Sequence, residues 1–110
     1  MEESLIKKYI PMTETTYYTL LALSAPRHGY AIMQYVSELT KHRIILGTGT
    51  LYTMVGRLVA DGVIEVVPGE EGKKTYHLTD SGCQLLRMET RRLESQLEDG
   101  HSVLGGGSGL

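Results

Sequence analysis

Tryptophan and phenylalanine are missing from this chain, and all seven aromatic residues are tyrosine. Stacking on a planar ligand would therefore fall to tyrosine. The one cysteine, Cys83, excludes an internal disulfide and offers no metal-ligand spacing, so it reads as a small, semi-buried helix residue. His42, His77 and His101 share no metal spacing with it or with each other, so no metal and no cofactor are expected. No apolar run approaches ~18 residues, which excludes a membrane-spanning helix. Lys7 and Lys8 are not followed by the apolar run of a signal peptide, and a cytoplasmic location is expected. An excess of positive charge is missing too: the net charge is -2, which excludes a polycation that coats nucleic acid.

What is present is ordinary for a soluble domain. With 110 residues, 41% hydrophobic and 22% charged, the chain can bury one modest core. Charge is unevenly placed: Arg27, Lys41, Arg43 and Arg57 face only Glu38 between residues 27 and 57, while acids gather near the ends and at Glu70-Glu71.

Periodicity then orders the elements. Residues 2–9 read as a short helix presenting Leu5, Ile6 and Tyr9, stopped by Pro11 and too short to stand without docking on something. Thr13 reads as the cap of a helix running to about Ser24, with Tyr17, Leu20, Leu21 and Ser24 on one face. A further helix spans about Gly29 to Thr40 on Ile32, Val36 and Leu39, and Ile44, Ile45 and Leu46 form an extended connector tucked into the core. Thr48 to Asp61 is the next helix, capped by Thr48, closed by Gly62 in a left-handed conformation, and buried along Leu51, Val55 and Leu58.

After Gly62 the period changes to two. Residues 63–67 and 74–78 read as strands with Ile64, Val66, Tyr76 and Leu78 alternating, joined by a loop through Pro68 and Gly69. Two strands need the helices beneath them, which makes a mainly α winged helix-turn-helix unit with a small β-hairpin. Thr79-Asp80 starts a last helix through about Leu97, whose one-sided stripe of Leu86, Leu93 and Leu97 needs a partner. Residues 1–79 thus form the winged-helix domain, 80–99 a C-terminal dimerisation helix and 100–110 a flexible glycine-rich tail.

The outer face of the Thr48–Asp61 helix is small, polar and almost uncharged, which suits a helix lying in the DNA major groove better than one that merely solvates a surface. Thr48, Gly49, Thr50, Tyr52, Thr53 and Arg57 are the candidates there; Tyr52 can equally be core, and Arg57 a solvated charge. Lys73 and Lys74 at the wing tip, with Lys41 and Arg43 on the connector, are candidate phosphate contacts. Enzyme chemistry has no foothold: Gly47-Thr48-Gly49-Thr50 lacks the lysine and spacing of a phosphate-binding loop, and His28 before Gly29-Tyr30 reads as a hydrogen-bonded structural histidine. The competing reading is a winged helix used only for protein–protein contact, favoured by the negative net charge.

Five pieces in order, His28-Gly29-Tyr30, Gly49-Thr50-Leu51-Tyr52 with Arg57-Leu58, Asp61-Gly62, Lys74, and Tyr76-His77-Leu78-Thr79 with Gly82, resemble the running signature of PadR-type transcriptional regulators over about residues 13–90. The resemblance implies a DNA-binding repressor, homodimeric through its last helix, with Leu5, Ile6, Tyr9, Leu86, Leu93 and Leu97 at the interface. Some such regulators respond to small aromatic or apolar molecules, and Leu86, Met88 and Leu93 would wall an effector site; a dry, packed seam is the alternative. Gly47-Thr48 stands where relatives commonly have Ser-Pro, and Thr53 where proline is common.

Overall fold

The computed structural model describes residues 3–105. Five helices, α1 (Glu3–Tyr9), α2 (Glu14–Ala22), α3 (Gly29–Leu39), α4 (Thr48–Ala60) and α5 (Asp80–Leu104), pack with three strands, β1 (Arg27–His28), β2 (Ile64–Val67) and β3 (Thr75–Leu78). The sheet is antiparallel in the order β1-β3-β2, with Val66 opposite Tyr76 and Arg27 opposite Tyr76 on the other edge. The α2-β1-α3-α4-β2-β3 run is a winged helix, with α1 before it and α5 after it.

Capping explains most boundaries. Thr13 accepts from Thr16 N, and Thr79 accepts from Gly82 N, each satisfying a free donor of the first turn. Gly62, at φ +73, lets the chain leave α4 and turn straight into β2, with Val63 N bonded to Leu58 O at 3.0 Å. At the start of α4 the cap is Gly47 rather than Thr48; Thr48 is the first helical residue and its side chain caps nothing. The end of α3 is closed by two left-handed non-glycine residues, Lys41 and His42, the latter held by Ser37 through its backbone N–H and its ring.

Leu20, Leu23, Ile32, Val36, Leu51, Leu58, Val63, Ile64 and Leu85 are fully sealed and form the centre of one core. Several expected positions move. The inward face of α2 is Thr16, Thr19 and Leu20, with Leu23 just beyond, while Ser24 is exposed and bonds back to Leu21 O. Leu39, Ile45 and Val66 are exposed, although Ile44 and Leu46 do bury, so the connector is pinned by alternate residues. Cys83 is exposed on α5 and not semi-buried. The short strand β1 lies where only a helix break was expected, because Arg27 and His28 complete the free edge of β3.

α5 also outruns its expected end at Leu97. It continues to Leu104, so residues 100–104 of the expected tail are helical, while residues 106–110 lie outside the described residues. Among the described residues no helix is long and apolar enough to cross a membrane. Leu97 and Val103 are exposed on the projecting part of α5.

A polar latch ties the segment from Lys8 to Met12 to both α4 and α5. Tyr9 is buried in the core of its own chain, and its hydroxyl donates to Asp61 Oδ2 at 2.5 Å while Lys8 Nζ pairs with the same oxygen at 2.7 Å. Just beyond α1, Met12 N donates to Glu89 Oε2 on α5 at 2.9 Å, and Arg92 grips both oxygens of that carboxylate.

Candidate nucleic-acid interface

α4 presents two faces of opposite character. Leu51, Met54, Val55 and Leu58 bury inward, and the outward surface consists of Gly49, Thr53, Gly56 and Ala60 flanked by Thr50, Tyr52 and Arg57, all exposed. At 100° per residue Gly49, Thr53, Gly56 and Ala60 fall along the middle of that surface, so nothing larger than threonine stands on its crest. A Cβ built at Gly49 or Gly56 meets no atom within 4 Å. The shallow crest is therefore open, and neither glycine is demanded by packing within the chain.

Concavities flank α4 on two sides. On the α2 side, Thr13, Thr15 and Thr16 face Thr50, Thr53 and Arg57 across a trough of about 530 Å³. On the wing side, Tyr52 borders a cavity of about 520 Å³ with Lys73, Lys74, Tyr76, His28 and Tyr30. The Tyr52 ring is fixed there by a close approach: a Cβ on Gly29, the first residue of α3, would overlap the Tyr52 hydroxyl and ring edge. Only glycine lets the tyrosine lie across the start of α3. The ring is half-exposed, so it is neither pure core nor wholly solvated.

Electrostatics distinguish the flanks. Lys73 and Lys74 are exposed and form no ion pair with the described residues. Arg57 lies near the latch, where its charge helps hold the Asp61 carboxyl below its ordinary value, behind the larger effects of the Lys8 and Tyr9 contacts. Burial and the neighbouring Asp61 push the Tyr9 phenol up to about 12, so it stays a neutral donor.

The structure thus brings together Gly49, Thr50, Tyr52, Thr53, Arg57, Lys73 and Lys74, with Thr48 exposed at the start of the same helix. It leaves Lys41 and Arg43 apart, on the connector: Arg43 donates to Tyr18 Oη at 2.9 Å, and neither residue lines the two cavities. Thr13, Thr15, His28, Tyr30 and Tyr76 join the surface unannounced by the sequence, since only tertiary packing carries them to α4.

The expected interface and effector residues divide as well. Tyr9 and Leu86 are consumed by the chain's own core, Leu5 and Ile6 pack partly against it, Leu93 is half-buried and Leu97 is exposed. Leu86 borders a groove of about 390 Å³ with Leu21, Leu78, Arg87 and Arg91, and neither Met88 nor Leu93 lines that groove. Among the described residues no group of three His, Cys, Asp or Glu side chains could hold a metal ion.

Residues 19–88 match the profile of the family described as "Transcriptional regulator PadR-like family". A curated relative, an uncharacterized 37.1 kDa protein in transposon TN4556 of Streptomyces fradiae, is 32% identical over 68 residues, covering 62% of this chain and 19% of the relative. The chain thus spans about a fifth of the length of that relative. Among solved structures, a PadR family transcriptional regulator from Eggerthella lenta DSM 2243 is similar with a TM-score of 0.65 and 25% identity, over 81% of this chain and 76% of that one. Bacillus subtilis PadR in complex with operator DNA is similar with a TM-score of 0.58 and 30% identity, over 70% of this chain and 46% of that one. With the family profile spanning most of the winged helix, this chain belongs to the Transcriptional regulator PadR-like family, whose members are transcription regulators and not enzymes.

Proposed function

We propose that the chain is a cytoplasmic, sequence-specific DNA-binding repressor that works as a homodimer. The observation that carries this reading is the open crest of α4, free of long side chains and flanked by the Tyr52–Lys73–Lys74 cavity and the Arg57 trough. Such a crest can approach base edges closely, while cations on its flanks reach the phosphates on either side of the groove. The B. subtilis relative seen with operator DNA supports the same use of the fold. Thr50, Thr53 and Arg57 then read bases, with Thr48 and Gly49 at the start of the helix, and Tyr52, Lys73 and Lys74 take phosphates; Lys41 and Arg43 add only peripheral charge.

Dimerisation is supported by the length of α5 and by the exposure of Leu97 and Val103 on its projecting part. Leu93 and Leu97, with Leu5 and Ile6 of α1, form the seam in this proposal. Twofold symmetry then calls for an inverted-repeat operator with half-site centres about 34 Å apart or a multiple of it, and repression follows from excluding polymerase. A small apolar effector bound along the seam near Leu86, Met88 and Leu93 would release DNA by favouring the wrong spacing of the two α4 helices.

The rival reading, a protein-binding module, draws on the net charge of -2 and the single arginine of α4. Selection of duplexes from a random library by the full chain, followed by binding at several salt concentrations, separates the two. A repressor enriches an inverted repeat; Arg57→Ala costs ~1–3 kcal/mol and relaxes its preference, whereas Lys74→Ala weakens all sequences alike and lowers the salt slope by about one. No enriched sequence and no salt-dependent retention would leave the protein-binding module.

A further inference from the structure

The cavity on the wing side of α4 contains more hydrogen-bond donors than two wing lysines would supply. Tyr76 is 6% exposed, yet its hydroxyl has no hydrogen-bond partner among the described residues, and its side chain lines this cavity. The ring is buried while the hydroxyl itself opens into the cavity, so its donor is free for a polar group that enters there. Burial, and then the nearby Tyr52, raise its pKa, so it remains a neutral donor. The hydroxyls of Tyr52 and Tyr30, both exposed, likewise have no partner among the described residues. His28 Nδ1 accepts from Ala31 N at 3.4 Å, which leaves Nε2 as the donor edge of the ring.

Among the described residues no carboxylate lines this cavity. Its charged side chains are Lys73 and Lys74, and the first turn of the 11-residue α3 begins at Gly29, where the absence of a Cβ leaves its backbone close to the Tyr52 ring. A cluster of neutral donors and two cations without a fixed anion suits a compact group with several acceptor oxygens.

We propose that His28, Tyr30, Tyr52, Tyr76, Lys73 and Lys74 form a seat for one phosphate of the DNA backbone, between α4 and the wing. The proposal rests on the DNA-binding reading above, which already includes Tyr52, Lys73 and Lys74, and adds to it His28, Tyr30 and Tyr76, to which sequence reasoning assigned no contact. A phosphodiester is favoured over a free anion because Tyr52 is shared between the seat and the flank of the α4 crest, so a strand beside a groove occupied by α4 passes the cavity. Gly29 acquires a role as well, since it allows Tyr52 to complete the seat.

The test pairs a protein change with a DNA change. Tyr30→Phe/Tyr76→Phe keeps both rings and removes two hydroxyls, and its folding is checked by thermal unfolding. The full-length chain and this variant are titrated with the library-selected duplex, intact or carrying a single neutral methylphosphonate at each position in turn. The seat predicts about tenfold weaker binding by the variant, from the loss of hydrogen bonds to a charged group. It also predicts one position per half-site where methylphosphonate weakens the parent about tenfold and the variant hardly further. Equal affinity of parent and variant, or equal methylphosphonate losses in both at every position, overturns the seat while leaving DNA binding intact. A parent that retains no selected duplex overturns the DNA-binding reading and the seat together. Inorganic phosphate titrated against the free protein is the last arm: submillimolar binding abolished in the variant, with unchanged DNA affinity, assigns the cavity to a free anion and overturns the DNA assignment.

Discussion

Replacing Gly56 by glutamine should make the folded protein more stable and the regulator less able to bind DNA. Gly56 lies inside α4 on its exposed crest, and a Cβ there meets no atom within 4 Å, so no packing cost opposes a larger side chain. Glycine is about 0.8–1.0 kcal/mol worse than alanine in a helix interior and glutamine lies near the favourable end, so the substitution should gain roughly 0.5 kcal/mol. For a domain of this size that is a rise of about 2–4 °C in midpoint. A glutamine also projects several ångströms from the centre of the surface offered to the groove, holding the backbone away from base edges that Thr50 and Thr53 must reach. Losing even one good base contact costs ~1–3 kcal/mol, a factor of about 5–150 in affinity, so the binding loss should outweigh the stability gain. Thermal unfolding and fluorescence anisotropy with the selected duplex measure the two quantities separately. Higher stability with undiminished DNA affinity would refute the placement of this crest in the groove, and lower stability would show that the crest is already covered by protein.

Gly82 provides the opposite case. A Cβ there would run into the Val63 carbonyl oxygen, which already accepts from Thr79 N and Thr79 Oγ1, and would press Leu78 Cδ2 at 3.2 Å. Because the obstacle is backbone, Gly82→Ala should destabilise by ~1–3 kcal/mol despite alanine's better propensity, read as a lower urea midpoint; an unchanged midpoint would contradict the close packing of α5 on Val63 and Leu78. Acid should weaken the fold through Glu89 and Asp61. Arg92 chiefly lowers the pKa of Glu89 from its ordinary 4.5, with Met12 N assisting, and Lys8 then Tyr9 lower that of Asp61 from 3.8. A depressed folded value means the stabilisation is complete above the ordinary range and is lost as pH falls through the lowered values. Unfolding from pH 7 to 3 should therefore be less acid-sensitive in Glu89→Gln, which keeps an acceptor for Met12 N but gives up the ion pair; the same acid slope as the parent would deny Glu89 that role.

How far the sequence could be read follows from where each determinant lies along the chain. α4 and the hairpin were legible because Leu51, Val55 and Leu58, and Tyr76 and Leu78, carry their own local period, and Gly62 marks the turn between them. β1 was not, because two residues have no period and their pairing with Thr75 and Tyr76 is made by the fold. α5 was cut short at Leu97 because residues 100–110 read as a glycine-rich tail, although Leu104 repeats the stripe seven residues on. The α4 half of the candidate interface was readable from the absence of long side chains. The other half was not: His28, Tyr30 and Tyr76 come from three separate elements and share a cavity only after the sheet has closed.

The polar latch determines how the two ends of the proposed regulator communicate. Asp61 is the C-cap of α4, and both of its observed side-chain partners, Lys8 and Tyr9, come from α1; a few residues later Met12 is bonded to Glu89 of α5. The segment from Lys8 to Met12 therefore touches the end of the proposed recognition helix and the middle of the proposed dimer helix through charge-assisted contacts, whose strength depends steeply on distance and angle. Leu5 and Ile6 lie one turn before the latch, so a partner chain seated on them in the proposed dimer would act on α1 directly. A change in subunit spacing would then have to either carry α4 along or break the Lys8 and Tyr9 contacts. The first outcome alters the separation of the two α4 helices, which is the quantity an inverted-repeat operator measures, and the second gives up the Lys8 and Tyr9 contacts that hold the end of α4.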